Sequence, residues 1–213
     1  MDELELLKKD WKKDDKVYPK LSYNDIYSMV LSKSSSIVKW IFIISILEFV
    51  FWVFISFGLK ASGFNLEVDG MESNFGFIAI SIFSYAILAY FFYRFYINYK
   101  TINTTDNAKM LMENILKTRR TVKQYVFFNL LVLVVGVSYM MPYAIKSDES
   151  SRALLETAQA NGELFKYYAG IAIVTLIGLV IAISVLLLFY WLIYGILLKR
   201  LNRNYYELKK LEV

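Results

Sequence analysis

The chain has 213 residues, 57% of them hydrophobic, and a formal net charge of +5. It contains no histidine and no cysteine. Histidine-ligated haem, zinc held by His and Cys, and Ser-His or Cys-His nucleophilic pairs are therefore excluded.

The first predicted element is a short amphipathic helix over residues 2–13. Leu4, Leu7 and Trp11 form its apolar stripe at i, i+3 and i+7, among lysines and acids. Residues 14–20 interrupt it, and Pro19 prevents its continuation. A second helix starts at Ser22, where Ser22-Tyr23-Asn24-Asp25 has capping-box spacing. Its stripe of Ile26, Met29, Val30 and Ile37 either runs through Ser34-Ser35-Ser36 or bends there.

Four apolar runs follow, each long enough to span a bilayer: residues 37–58, 75–96, 125–145 and 169–198. The first follows a polar, heavily charged segment of 36 residues and is longer than a signal-peptide core, so it is expected to be retained. Between the second and third runs, residues 97–124 are expected to extend both spans as a hairpin turning near Asn103. Thr105 or Asp106 would cap its second helix, which carries Leu111, Met112, Ile115, Leu116 and Val122 at helical period. Residues 150–160 suit a short helix stopped by Asn161-Gly162.

The fourth run exceeds what a membrane requires, with thirty uncharged residues rising about 45 Å against a core of about 30 Å. Tyr167 and Tyr168 read as its outer aromatic belt, and Tyr190, Trp191 and Tyr194 as the inner one. Leu198, Leu201, Tyr205 and Leu208 then continue a stripe. It either packs on the hairpin like a coiled coil or lies on the membrane surface.

The expected fold class is all-α: a four-span transmembrane bundle with helical extensions. Residues 1–36 form an N-terminal region, 37–198 the membrane domain and 199–213 a C-terminal extension. Charge placement gives the orientation. Twenty Lys/Arg fall in residues 1–39, 94–123 and 199–213, against four in the two other loops. The positive-inside rule puts the basic side, with both termini, in the cytoplasm of a bacterial inner membrane.

Glu48 is the sharpest single residue. Counting along its run puts it near the middle, where a charge is costly. Asn129 and Arg94 are the other intramembrane polar candidates; Arg94 would have to stretch to approach Glu48. Glu48 reads as a packing group held by hydrogen bonds, or else as a proton or cation site. Lys117, Arg119, Arg120 and Lys123 are concentrated near the inner leaflet, as topology-setting charge or a lipid-headgroup site. Leu4, Leu7 and Trp11 are candidates for facing a partner. No cofactor or metal is expected, and residues 1–39 are too nearly neutral for nucleic-acid binding.

Residues 4–13, LELLKKDWKK, together with Asp25-Ile26-Tyr27 and Lys33-Ser34-Ser35-Ser36-Ile37-Val38-Lys39-Trp40, resemble an uncharacterised family. Its members are small multi-span proteins of flavobacteria and other Bacteroidota, and the resemblance covers mainly residues 4–52. Some members carry a beta-carotene monooxygenase label. That class holds iron with four histidines, and this chain has none. The layout is also similar to membrane proteins encoded beside extracytoplasmic-function sigma factors, which place a short L-x-x-x-W helix before a span, as Leu7 and Trp11 do here.

The sequence thus leads to a non-enzymatic membrane-tethered adaptor or regulator, anti-sigma-like in layout, that works through cytoplasmic helices. Its partners would be the lipid bilayer and a protein or a second copy. A small oligomeric transporter or channel subunit centred on Glu48 is the rival, and lipid handling is a third reading.

Overall fold

In a computed structural model, residues 22–62, 74–105 and 107–211 are described, and they form helices with no strand among them. We number these α1 (Tyr23–Ala61), α2 (Phe75–Asn103), α3 (Ala108–Ser147), α4 (Glu149–Ala160) and α5 (Leu164–Tyr190). A π-helical turn, Trp191–Gly195, joins α5 to α6 (Ile196–Leu211). Four helical rods, namely α1, α2, α3 and α5 continuing into α6, are long and apolar enough to cross a membrane. The segment carrying Leu4, Leu7 and Trp11 lies outside the described residues.

The rods pack side by side. One end, called the base here, holds the start of α1, the turn between α2 and α3, and α6. The opposite end is the rim. With 39 and 40 residues, α1 and α3 are about 60 Å long, roughly twice a hydrocarbon core.

At the base the chain packs like a water-soluble bundle. Val30, Val38, Ile102, Leu111, Ile115, Leu201 and Leu208 form one buried cluster. Leu201 and Leu208 are fully enclosed, so the stripe of α6 packs on the bundle and does not lie on a membrane surface. Polar groups are paired across the same seams. Asn204 Nδ2 donates to Ser34 Oγ at 3.0 Å, and Asn98 Nδ2 to Thr121 Oγ1 at 3.1 Å. The three serines do not interrupt α1. Their small side chains admit the neighbouring helices, and Ser35 Oγ donates to Asn103 Oδ1 at 3.2 Å.

Helix starts follow the short polar side chains. Ser22 and Asp25 make the expected capping box on α1: Ser22 Oγ accepts from Asp25 N–H, and Asp25 Oδ2 accepts from Ser22 N–H. On α3 the cap differs from expectation. Asn107 Oδ1 accepts from Lys109 N–H at 2.9 Å. Thr105 instead turns its hydroxyl to the Thr101 carbonyl at 2.7 Å, while Tyr27 donates to the Thr105 carbonyl. Asp106 is outside the described residues.

Toward the rim the packing loosens. Tyr190 is the one buried residue of α5, while Val174, Ile177 and Ile181 lie more than half exposed. An apolar face of that length would be costly in water and costs nothing in hydrocarbon. At the rim, Asn74 joins α2 to α3. Its Oδ1 accepts from Tyr139 and its Nδ2 donates to Tyr143, each at 2.6 Å. A side chain on Gly76 would meet the Tyr139 hydroxyl at 2.2 Å, so glycine is required for this approach.

Asp148 caps α4. Its Oδ2 accepts from Ser151 N–H at 2.8 Å, and bonding to Ser151 holds its carboxyl below the ordinary 3.8. A lowered folded-state value means the cap is fully effective above the ordinary carboxylate range and is lost as pH falls through the lowered value. The protection factor of the Ser151 amide, its exchange relative to the intrinsic rate at each pH, should therefore fall in acid, and Asp148→Ala should abolish that fall.

Candidate functional site

A carboxylate buried among tyrosines lies where the tight base meets the open rim. Glu48 comes from α1, Tyr125 from α3, Tyr190 from the end of α5 and Tyr194 from the π-helical turn. Tyr190 donates to Glu48 Oε1 at 2.6 Å. Tyr125 and Tyr194 donate to Oε2 at 3.0 and 3.2 Å. Asn129, one turn beyond Tyr125, donates its amide to the Tyr190 hydroxyl at 3.1 Å and polarises it toward the carboxylate. All four residues bonded directly together are at least 93% buried.

The rings shape the enclosure. Tyr125 meets Phe91, Phe95, Tyr190 and Tyr194 edge-on, with centroids 5.4–6.5 Å apart. These edges place aromatic hydrogens against neighbouring ring faces and fix the hydroxyls. Three donors on two oxygens match the acceptor-only character of a carboxylate. They replace water at a position where a bare carboxylate could not remain.

The π-helical turn contributes to this geometry. It takes one more residue into the turn than an α-helix does and so shifts the helix face between Tyr190 and α6. Gly195 sits in it, where a side chain would press on the Trp191 ring at 3.3 Å. Tyr190 and Tyr194 face inward, and Trp191 is 69% exposed. Of the three residues expected to form the inner belt, only Trp191 faces outward; the two tyrosines are spent on Glu48.

Basic residues flank the cluster toward the base. Lys123 lies two residues, about 3 Å of rise, below Tyr125. Arg94 is next to Phe95, which packs on the same tyrosine.

Arg94 does not join the cluster; its guanidinium lies 5.9 Å from the Tyr90 ring centroid. Nor do the four basic candidates on α3. Arg119 donates to Asn202 Oδ1 at 2.7 Å and ties α3 to α6, while Lys117, Arg120 and Lys123 are exposed.

Above the carboxylate, toward the rim, a cavity of about 550 Å³ opens between α1, α2, α3 and α5. Its walls include Phe49, Trp52, Val53, Leu133 and Leu186, and Glu48 and Asn129 form its polar floor. A second hollow of about 310 Å³ adjoins it through Tyr85, Leu88 and Val132. Among the described residues, no group of three or more acids is placed to hold a metal ion.

The described residues thus form an all-helical fold with four rods long and apolar enough to cross a membrane and a carboxylate–tyrosine centre. The chain belongs to the family of the domain of unknown function DUF8845, whose model matches residues 24–213 and so covers the whole centre. No curated protein and no solved structure matches it.

Proposed function

We propose that this is a non-enzymatic integral membrane protein that holds an amphiphilic molecule in the cavity above Glu48. A cationic head would sit on the carboxylate and Asn129, and an apolar body would lie along α1, α3 and α5. The observation that carries this reading is the cavity itself, with apolar walls ending on the one buried carboxylate among the described residues. Its volume falls in the range of small-molecule sites, roughly 300–1,000 Å³. The distribution of Lys and Arg supports a cytoplasmic base, with both termini inside, in a bacterial inner membrane. The polar floor then lies near the inner headgroup level, where an amphiphile keeps its charge.

Dodecyltrimethylammonium and dodecanol, added to the protein in maltoside detergent, test this reading through thermal unfolding. The cationic amphiphile should raise the midpoint of the wild type and not that of Glu48→Gln; dodecanol should act equally on both. Equal responses of wild type and variant to the cation would sink the proposal.

An adaptor role at the base is the second reading. It is supported by Met29, Met110, Leu116 and Tyr206, large apolar side chains exposed on the part of the bundle that projects past the apolar band. Affinity capture from gently solubilised membranes should then lose a partner with Leu7→Ala/Trp11→Ala. Unchanged recovery would remove the N-terminal stripe from that role.

A further inference from the structure

Another cavity, of about 440 Å³, lies between α3 and α5 at the rim, with Leu155 of α4 at its edge, away from Glu48. Three polar features, beside the Ser138 and Tyr168 side chains, converge on a mostly apolar hollow. Thr175 on α5 has a buried hydroxyl with no hydrogen-bond partner. This is unusual, because a helical threonine ordinarily bonds back to the carbonyl one turn earlier, as Thr118 and Thr121 do in α3. An unsatisfied buried hydroxyl is destabilising, and a rotation of the Thr175 side chain, which lines the hollow, would present it to an acceptor there.

Pro142 of α3 lines the same cavity and has no N–H to give to the Ser138 carbonyl, so α3 lacks one backbone bond on that wall. Lys146, one turn above Pro142, carries the positive charge at the mouth. Among the described residues no carboxylate pairs with it. Arg152 of α4 donates to the Lys146 backbone carbonyl, which places a second cation at the same rim. Below Thr175 the walls are mainly apolar, with Leu176 and Leu179 of α5 facing Met141 and Ser138 of α3.

The order along the seam is cation, hydroxyl, apolar wall. An anionic phospholipid presents the matching order of phosphate, ester and acyl chain. We propose that the α3–α5 cleft is a binding site for one anionic phospholipid of the rim-side leaflet. Lys146 would hold its phosphate, the Thr175 hydroxyl would donate to an ester carbonyl, and the acyl chain would fill the hollow down to Leu179. This site is independent of Glu48 and of any ligand bound there.

Native mass spectrometry of the full chain, released from nanodiscs holding equal phosphatidylglycerol and phosphatidylcholine with matched acyl chains, tests the proposal. Wild type should retain the anionic lipid about fivefold over the zwitterionic one, the scale of a single charge contact near the surface. Lys146→Gln should bring the two close to parity. Thr175→Val, which keeps the shape and removes the donor, should lower retention of both lipids. Lys123→Gln, at the base, should behave as wild type. Parity in the wild type, a preserved preference in Lys146→Gln, or unchanged retention in Thr175→Val overturns the assignment. Loss of the preference in Lys123→Gln does so too, because it moves lipid binding to the base. Lys146 is exposed, so its replacement does not threaten the fold, and gel filtration with circular dichroism verifies this for each variant.

Discussion

Glu48→Ala should destabilise the bundle by roughly 3–5 kcal/mol, measured by unfolding in mixed micelles of dodecyl sulfate and a mild detergent. The substitution removes the single acceptor shared by Tyr125, Tyr190 and Tyr194 and leaves three buried hydroxyls facing one another. It also enlarges a cavity that is already open. Glu48→Gln should cost less, because one amide oxygen still accepts. The decisive variant combines Glu48→Leu with Tyr125→Phe, Tyr190→Phe and Tyr194→Phe. Removing acceptor and donors together leaves only the Asn129 amide, at the cavity floor, without its Tyr190 partner, so most of the lost stability should return. A combined variant as unstable as Glu48→Ala would mean that the cluster acts through ring packing and not through its hydrogen bonds.

The same comparison separates structure from function at this centre. A carboxylate with three donors is well satisfied, and α1, α3 and the α5–α6 rod are clamped through it. A purely structural clamp has no need of a hollow above it. The proposed ligand role rests on that hollow, and the combined apolar variant should keep the fold while losing the response to a cationic amphiphile.

The sequence made the rods legible because each apolar run exceeds what a soluble core requires. The hairpin turn and the stripe of α6 were readable from helical period, with Leu201 and Leu208 on the buried face. The partners of Glu48 were not readable. Tyr125, Tyr190 and Tyr194 stand at run ends, where tyrosine ordinarily marks a membrane interface, and periodicity does not say which face of a uniformly apolar helix turns inward. A signal was nevertheless present: two tyrosines four residues apart share a helix face, and a lone intramembrane carboxylate needs donors. The π-helical turn had no sequence mark beyond Gly195, because it arises from tertiary packing.

Leu201→Ala should cost about 2–5 kcal/mol, whereas Ile177→Ala on the same rod should cost little. Both remove apolar volume from one continuous helix, but their surroundings differ. Leu201 is fully enclosed among α1, α2, α3 and α6 in the part of the bundle that projects past the apolar band. Truncation there leaves a cavity and forfeits burial from water. Ile177 is 55% exposed on a face that hydrocarbon would cover, so lipid chains fill the space it vacates. Thermal unfolding in detergent should show the difference in stability, and hydrogen exchange should show loss of protection confined to α6 and the facing turns of α1 and α3. Equal costs at the two positions would mean that α5 packs against another protein surface along its exposed face. Neither the lateral opening above Glu48 nor the cleft beside Thr175 would then be accessible to lipid.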